Sequence, residues 1–212
     1  MSAAVARLSK AQRTRRQILA AAELRFAAAG FEKTRLEDVA EDIGMVGSAI
    51  LYHFPDKRDL YRAVLDELFS GLLAAVAQAA SGSTPLGERI EAAVRAAVRA
   101  VAARPAIASI ALREATSDDP ELQERALPFL RLIGELFEEG ARTGEIHPVR
   151  ADPFHFISAV AGTILFYVAA LPRFVPELPP DHLAPEQMQA LERDAVVITQ
   201  RLLGLTGPRP VR

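Results

Sequence analysis

Two groups of side chains in the second half of the chain contain the residue types that acid/base catalysis or metal binding requires. They are, in chain order, Glu114, Asp118 and Asp119, and then His147, Asp152 and His155. Neither group has a recognised ligand spacing, because Pro148 and Pro153 separate the two histidines. The segment TSDDPELQ, residues 116 to 123, is typical of a capped helix start. The sequence therefore does not predict an enzyme, and a helical enzyme is the least favoured alternative.

Signatures of common cofactor sites are also missing from the sequence. It contains no nucleophile elbow, no phosphate loop and no dinucleotide-binding fingerprint. It contains no cysteine, which excludes a disulfide framework, a thiolate metal site and a cysteine nucleophile. We therefore expect neither a cofactor nor a metal ion.

Basic side chains concentrate near the N-terminus. Residues 1 to 62 contain eleven Lys or Arg against eight Asp or Glu, a balance of +3, while the remainder has fourteen against nineteen, a balance of −5. Within the first sixteen residues there are five basic side chains and no acidic one. A positive arm of this kind favours a polyanionic partner, although a solvated basic tail has the same composition.

Composition predicts that helices position these side chains. Alanine, leucine and arginine are abundant and β-branched and aromatic residues are sparse, so we expect an all-α fold of about nine helices. The length of 212 residues allows two unequal domains. The predicted helices after the first three span residues 56–78, 86–103, 105–116, 120–143, 153–171 and 185–205.

The first three predicted helices have the lengths and end signals of a helix-turn-helix. The first runs from about residue 9 to residue 29, with Gly30 as its C-cap. Thr34 begins a capping box with Glu37, and the second helix ends at Gly44. Ser48 is the predicted cap of a short third helix that ends at about residue 53, before a proline.

An uncharged segment, residues 153 to 171, is long enough to span a bilayer. His155, Ser158 and Thr163 interrupt it, and no basic cluster follows it, so we favour a buried helix or a subunit interface. The N-terminal sequence also lacks the apolar core of an export signal. We therefore expect a cytoplasmic protein that does not act at a membrane.

The last predicted helix carries an apolar stripe at spacings of three and four, which is typical of helices that pack nearly parallel. Together with the uncharged helix before it, this helix predicts half of an intermolecular four-helix bundle, and the alternative is that both helices form the core of one protomer. The predicted dimer interface comprises Ile157, Val160, Ile164, Val168, Met188, Leu191, Ala195, Ile198 and Leu202.

Three segments of the N-terminal region resemble the TetR family of transcriptional regulators (TetR/AcrR-like). They are TRRQIL at 14–19, LRFAAAGFEKTRLEDVAEDIG at 24–44 and AILYHFPDKRDL at 49–60. The resemblance implies a DNA-binding domain over residues 1–60 and a helical ligand-binding and dimerisation domain over residues 61–212. It further implies a homodimer that binds a near-palindromic double-stranded operator, with half-sites about 34 to 36 Å apart. It implies repression until a small-molecule effector binds and changes the separation of the two DNA-binding domains.

The expected recognition helix departs from the family pattern. The run GMVGSAIL, residues 44 to 51, has no charge and no amide, and Gly47 stands where the family commonly has Lys or Arg. Flanking cations nevertheless favour binding to the DNA backbone, with specificity that depends on few base contacts and on DNA shape. The predicted DNA-contacting residues are Arg15, Arg16, Thr34, Arg35, Ser48, Ala49, Tyr52, His53 and Lys57.

The C-terminal domain is expected to enclose a cavity for a small apolar or aromatic effector. Its candidate lining residues are Ile107, Ile110, Arg113, Phe129, Ile133, Phe137, Phe154, His155, Phe166 and Tyr167, and the alternative for the isoleucines and phenylalanines is ordinary core packing. A dimeric helical protein that binds a small molecule but has weakened or lost DNA recognition is the second interpretation, and the uncharged GMVGSAIL run is its main support.

Overall fold

The computed structural model describes residues 9–115, 120–175, 177–179 and 181–205, and the regular structure in these ranges is entirely helical. The predicted all-α class is confirmed. The nine helices of the described ranges are α1 (Lys10–Lys33), α2 (Leu36–Asp42), α3 (Gly47–Leu51), α4 (Lys57–Ala80), α5 (Leu86–Ala103), α6 (Ala106–Glu114), α7 (Pro120–Thr143), α8 (Pro153–Phe174) and α9 (Pro185–Leu203).

The chain divides into two compact units, Met1–Glu67 and Leu68–Arg212, so that the boundary falls inside α4. The N-terminal unit contains α1 to α3 and the start of α4, and the C-terminal unit contains the rest. The functional division after residue 60 that the sequence predicts is not tested by this packing boundary and stays a prediction.

The core of the N-terminal unit is built on one face of α1. Ile18, Ala22 and Phe26 are fully buried there, because their spacing of four places them on the same side of the helix. Aromatic rings close this core: the Phe26 ring lies 4.8 Å from that of Tyr61 and 6.3 Å from that of Phe31. These contacts fix α1 against α4 within the unit.

The ends of α1 are set by side chains. Ser9 caps the first turn in a capping box, since its hydroxyl accepts from the Gln12 backbone N–H at 3.2 Å while the Gln12 side chain accepts from the Ser9 N–H at 2.8 Å. Gly30 has φ of 80°, which breaks the helical geometry before a last short stretch to Lys33. The Thr34 hydroxyl donates to the Gly30 carbonyl at 2.8 Å. The predicted capping box of Thr34 with Glu37 is therefore wrong.

The turn between α2 and α3 follows Gly44, whose φ of 66° favours glycine. The N-cap of α3 is Val46, and no side chain caps this helix. The prediction that Ser48 caps it is wrong, because Ser48 lies inside the first turn. Helix α3 has only five residues and is followed by a turn at Tyr52 and His53, so it ends two residues before the predicted position.

In the C-terminal unit α5 packs along α9, and α8 contacts α5, α6, α7 and α9. The bounds predicted for α5 and α7 agree with the structure, and α7 continues through Pro128. Helix α8 is longer than predicted, because a π-helical turn at Phe166–Ala170 joins its first part to a last turn that ends at Phe174. Such turns insert one extra residue into a helix and rotate the side chains that follow.

The end of α9 is tied to the loop that precedes α8. The His147 N–H donates to the Leu203 carbonyl and the Val149 N–H donates to the Leu202 carbonyl, both at 2.8 Å. Gly204 ends the helix in the left-handed conformation with φ of 64°. A Cβ atom at this position would lie 2.5 Å from the His147 carbonyl oxygen, so only glycine fits.

A charged cluster links α5 to α9. Glu192 on α9 is buried, and its carboxylate accepts from the Arg99 guanidinium at 2.8 and 2.9 Å and from Arg95 at 3.1 Å. The hydrogen bonds from Arg99 hold the pKa of the Glu192 carboxyl below its ordinary value, and those from Arg95 act in the same direction against the effect of burial. This cluster stabilises the pair of helices in its ionised form.

Helices α4 and α8 are both long and apolar enough to cross a membrane by length and composition alone. The most apolar stretch of α8 has a mean hydropathy of 1.9, and only 22% of it is buried within the chain. The same length and composition occur in helices of protein cores and subunit interfaces, so they do not by themselves assign either helix to a membrane.

Candidate nucleic-acid interface and effector cavity

Helix α3 and the residues on either side of it, 46 to 54, are called the α3 segment below. This segment exposes its side chains to solvent on one side. Tyr52 is 85% exposed and Ser48 is also exposed, while Ala49 is half-buried. On the opposite side Ile50 and Phe54 are buried in the core of the N-terminal unit. A helix held by its buried side with the other side open has the arrangement that a recognition helix needs in order to enter the major groove.

Basic side chains of α1 lie next to this segment. The Arg15 guanidinium stacks over the ring of Phe54, 4.8 Å from its centroid. Arg15 and Arg16 are both exposed. The N-terminal part of α1 therefore places the positive charge of Arg15 beside Phe54, three residues after the end of α3.

The Lys57 side chain is directed at the end of α1. Its Nζ donates to the Phe31 carbonyl at 2.9 Å and to the Glu32 carbonyl at 3.2 Å, and it lies 4.4 Å from the centroid of the Phe31 ring. The ammonium group thus satisfies carbonyls at a helix end. Its predicted contact with a phosphate is not tested by these bonds, which leave a third N–H of the ammonium group to donate.

The remaining predicted DNA contacts differ in accessibility. Thr34 is buried, and its hydroxyl donates to Gly30, so its side chain is not available to a phosphate in this conformation. Arg35 is exposed and forms only a long, exposed ion pair of 3.8 Å with Glu37. His53 is half-buried, and its ring stands edge-on to that of Tyr52 at 5.2 Å.

Two exposed residues of this segment are absent from the predicted contact set. Val46 is 68% exposed at the N-cap of α3, and Leu51 is 48% exposed three residues after Ser48. The helical spacing of Leu51 from Ser48 was a usable signal in the sequence. Aliphatic residues in a helix-turn-helix are usually core, which is why the pattern alone did not select them.

The C-terminal unit contains a cavity of about 270 Å³ that is partly open to solvent. Five helices line it, from the second half of α4 to α8, and the lining side chains are all apolar. Representative members from each helix are Phe69, Val94, Ile107, Phe129, Ile133, Phe156 and Ile164. A cavity of this size and polarity has room for an apolar molecule or for the apolar part of a larger one.

Three of the ten predicted lining residues contribute to this cavity, namely Ile107, Phe129 and Ile133. Ile110 and Phe137 are buried elsewhere in the core. The predicted polar members Arg113, His155 and Tyr167 lie outside the cavity lining, and so do Phe154 and Phe166, which are exposed. The cavity is also lined by Ile157, Val160 and Ile164, which the sequence predicts at the dimer interface instead.

Most residues of the predicted dimer interface are covered within the chain. Six of them are buried, namely Val160, Ile164, Val168, Met188, Leu191 and Ala195. The other three are half-buried, namely Ile157, Ile198 and Leu202. The stripe on α9 faces α5 of the same chain rather than solvent. Burial within one chain does not test a contact with a second copy, so the predicted dimer interface stays a prediction, with Ile157, Ile198 and Leu202 as its accessible members.

Helix α8 also carries exposed phenylalanines. Phe154 and Phe174 are 71% and 74% exposed, and Phe166 is 46% exposed. The rings of Phe166 and Phe174 stack on each other with centroids 5.8 Å apart. Val197 of α9 is also exposed. These exposed apolar residues of α8 and α9 are called the outer apolar face below: Phe154, Phe166, Phe174 and Val197.

One of the side chains first considered for catalysis, Asp152, has a structural role. Asp152 caps α8, since its carboxylate accepts from the His155 backbone N–H at 2.9 Å, and this bond lowers the pKa of the Asp152 carboxyl. Asp118 and Asp119 lie outside the described residues. Among the residues that are described, no three His, Asp or Glu side chains come close enough to hold a metal ion.

The N-terminal unit is similar in sequence to a known protein family. Residues 18–64 match the family described as bacterial regulatory proteins, tetR family. The transcriptional regulator TtgR of Pseudomonas putida is 46% identical over 59 residues, which cover 28% of this chain and 28% of that protein. The regulator RutR of Escherichia coli is 29% identical over 163 residues, which cover 75% of this chain and 76% of that protein. The predicted resemblance to the TetR family is confirmed.

Solved structures show that the fold as a whole is of the same type. The ketosteroid transcriptional regulator KstR2 of Mycobacterium tuberculosis has a TM-score of 0.71 at 20% identity, over 92% of this chain and 96% of that one. FadR of Bacillus subtilis, solved with stearoyl-CoA, has a TM-score of 0.69 at 16% identity, over 91% and 99%. The chain carries a TetR-family helix-turn-helix domain on a TetR-type fold. These relatives are transcriptional regulators, not enzymes.

Proposed function

We propose that this protein is a ligand-responsive transcriptional regulator of the cytoplasm that binds a near-palindromic DNA operator as a homodimer. A small apolar or aromatic effector releases it, so that it acts as a repressor. The observation that carries the proposal is the α3 segment of a TetR-family domain, held by Ile50 and Phe54 and open on its other side.

Electrostatics support DNA as the partner of this open side. The exposed guanidinium groups of Arg15, Arg16 and Arg35 lie in the unit that contains α3, and none of them is engaged in a buried ion pair. Cations that neutralise phosphates release counterions, which gives most of the affinity in protein–DNA complexes. Backbone binding therefore does not require a charged side chain on α3 itself.

The outer apolar face of α8 and α9 supports a homodimer. Three phenylalanines and a valine are exposed on α8 and α9, two helices that contact each other, and a two-fold axis would pack each copy's exposed residues against the other copy. We place the interface there rather than on the stripe predicted from the sequence. Covering by a second copy also accounts for the hydropathy of α8 without a membrane.

The interface is tested by Phe174→Glu, which puts a charge into the outer apolar face without touching the core. Sedimentation equilibrium should show a dimer for the unchanged protein and a monomer for the variant. Val149→Glu is the matched control, since Val149 is 68% exposed and lies outside that face. A monomer at micromolar concentration before any substitution would contradict the proposal.

The cavity supports an apolar effector. Every lining side chain is apolar, so a polar atom placed inside would lose its hydrogen bonds to water at a cost of roughly 1 to 3 kcal/mol or more. One structural neighbour was solved with stearoyl-CoA and another is a ketosteroid transcriptional regulator, and stearoyl-CoA and ketosteroids both have large apolar parts. Helix α4 lines the cavity and also begins in the N-terminal unit, so an effector that moves it can alter DNA binding.

The cavity is tested with N-phenyl-1-naphthylamine, an uncharged probe that fluoresces in apolar surroundings. Ala126→Phe fills the cavity from α7 and should weaken the probe at least about tenfold. Ala141→Phe, on an exposed position of the same helix, should leave its affinity unchanged. Equal affinity of the two variants for the probe would show that the probe binds outside the cavity.

DNA binding is tested on the duplex upstream of the protein's own gene, at two salt concentrations. The logarithm of the affinity should fall linearly with the logarithm of salt, and Arg16→Gln should flatten this slope by about two in a dimer, one for each lost phosphate contact. Arg131→Gln, an exposed arginine of α7, is the control that should keep the slope. Weak binding with no salt dependence would favour the second candidate function, a helical ligand-binding protein without DNA recognition, which the uncharged α3 also fits.

A further inference from the structure

The α3 segment exposes more aliphatic surface than the fold requires. In the described part of the N-terminal unit the large apolar side chains that are exposed are Leu24, Val46, Leu51 and Tyr52. Three of these four lie within seven positions of one another, on α3 and its two flanking residues. None of the three is buried against another helix, so packing does not account for them.

These side chains lie where a recognition helix touches bases. Val46 is at the N-cap of α3, and the N-terminal residues of a recognition helix are the ones that contact base edges. Leu51 and Tyr52 follow Ser48 at spacings of three and four and therefore share its face. This face carries two hydroxyl groups but no charge and no amide, so it lacks the side chains that read guanine or adenine by paired hydrogen bonds.

Apolar side chains discriminate between base pairs in the major groove. Thymine presents a C5 methyl group there, whereas a G·C pair presents only acceptors and an amino donor. An aliphatic side chain against a G·C pair removes water from these polar groups without replacing its hydrogen bonds. Against a thymine methyl the same side chain buries apolar surface on both partners.

Charge argues that the occupant of this face is DNA rather than a second copy of the chain. Residues 1 to 62 have a balance of +3, and the guanidinium of Arg15 lies over Phe54 at the end of the same segment. Two such faces brought together would oppose like charges, while a polyanion would be attracted to the cations that flank the aliphatic surface.

We infer that Val46 and Leu51 determine DNA specificity by contacting thymine methyl groups, so that each operator half-site carries A·T pairs where α3 enters the major groove. This inference rests on the proposed function and gives the base composition that the site selects. Each contacted methyl changes the affinity about fourfold, as expected for burial of one methyl-sized group.

The test begins with the full-length protein and a pool of duplexes that contain a random central segment. After rounds of selection, each thymine of the enriched half-site is replaced in turn by deoxyuridine, which keeps the base pair and removes only the methyl group. At the contacted thymines the replacement should weaken binding about fourfold. The variants Val46→Ala and Leu51→Ala should each bring the loss at one of these thymines below about twofold.

Leu24→Ala is the matched control, because Leu24 is 69% exposed in the same unit but lies on α1. It should keep the fourfold sensitivity, and circular dichroism should show that all three variants retain their helices. Enrichment of a sequence that is insensitive to deoxyuridine at every position, or loss of self-association rather than of DNA binding in Val46→Ala, would overturn the inference while the proposed function stands. Failure to enrich any sequence would overturn both.

Discussion

The two units of this protein differ in where their sequences depart from ordinary packing. In the N-terminal unit the interior is filled by tightly packed rings such as Phe26 and Tyr61, and the departure is on the surface, where Val46, Leu51 and Tyr52 are exposed. In the C-terminal unit the departure is inside, where helices leave a cavity of about 270 Å³. The first arrangement fits a rigid surface that reads a partner, and the second fits a space that a ligand fills.

The same contrast explains why the two units differ in how clearly their sequences resemble those of known proteins. A surface that must fit DNA needs fixed helix lengths and a fixed turn, and the N-terminal unit matches the family over residues 18–64. A cavity needs only apolar side chains on several helices, and many sequences satisfy that requirement. Over the C-terminal unit the resemblance to solved structures is accordingly one of fold at low identity.

The largest effect should come from emptying the packed core of the N-terminal unit. Phe26→Ala should lower the free energy of unfolding by about 3 to 5 kcal/mol, because the ring is fully buried and contacts Phe31 and Tyr61. Phe129→Ala should cost less than half as much, because Phe129 borders a space that is already empty. Denaturant unfolding of both variants measures the difference, and equal costs would remove the contrast between the two interiors.

The Glu192 cluster makes the stability of the C-terminal unit depend on pH. Hydrogen bonds from Arg99 and Arg95 lower the pKa of the Glu192 carboxyl, so its contribution to stability is present above the unfolded pKa of about 4.3 and is lost as the pH falls through the folded value. Glu192→Gln should cost about 1 to 2 kcal/mol at neutral pH, since Arg99 is largely exposed.

This difference between the variant and the unchanged protein should vanish in acid, at a pH below the lowered pKa. Glu186→Gln, an exposed carboxylate in the first turn of α9, serves as the control and should show no comparable change in the slope of stability against pH. A constant difference between Glu192→Gln and the unchanged protein at every pH would show that packing, not ionisation, stabilises the cluster.

Substitution of Lys57 tests whether its ammonium group stabilises the fold of the N-terminal unit or binds a DNA phosphate. Lys57→Met should lower the free energy of unfolding by about 1 kcal/mol, because it removes the bonds to the Phe31 and Glu32 carbonyls and the contact with the Phe31 ring. Thermal unfolding measures this, with the exposed Lys33→Met as control. Unchanged stability with weaker DNA binding would assign the ammonium group to a phosphate instead.

The smallest effect on stability is expected for the exposed aliphatic residues. Leu51→Ala should change the free energy of unfolding by less than about 0.5 kcal/mol, because half of the side chain is already in water. A denaturant titration checks this value, and a loss of more than about 1 kcal/mol would show that Leu51 belongs to the core. Leu51 would then no longer count as an exposed residue that is free to contact a partner.

Much of the helical architecture could be predicted from the sequence, because the bounds of α5 and α7 coincide with their apolar periodicity and their flanking prolines and glycines. Capping could not be predicted equally well, since Thr34 has two possible partners for its hydroxyl and the chain kink at Gly30 selects the carbonyl. Local spacing does not contain that tertiary choice.

The site shows the same division between local and tertiary information. Exposure of Tyr52 and Ser48 follows from helical spacing around the buried Ile50, so the sequence was sufficient there. The face of α8 that lines the cavity could not be distinguished from the face that is exposed, because this helix is apolar on nearly all sides. Packing against α5, α6 and α7 makes that choice.

The central claim is that an exposed, largely aliphatic recognition helix still selects a DNA sequence. Its most direct test is the ratio of affinities for the upstream duplex and for a shuffled duplex of the same base composition, at about 0.15 M salt. We predict a ratio of at least about 10³, the lower range for specific regulators. A ratio of one, from protein with intact helical structure, would contradict the claim.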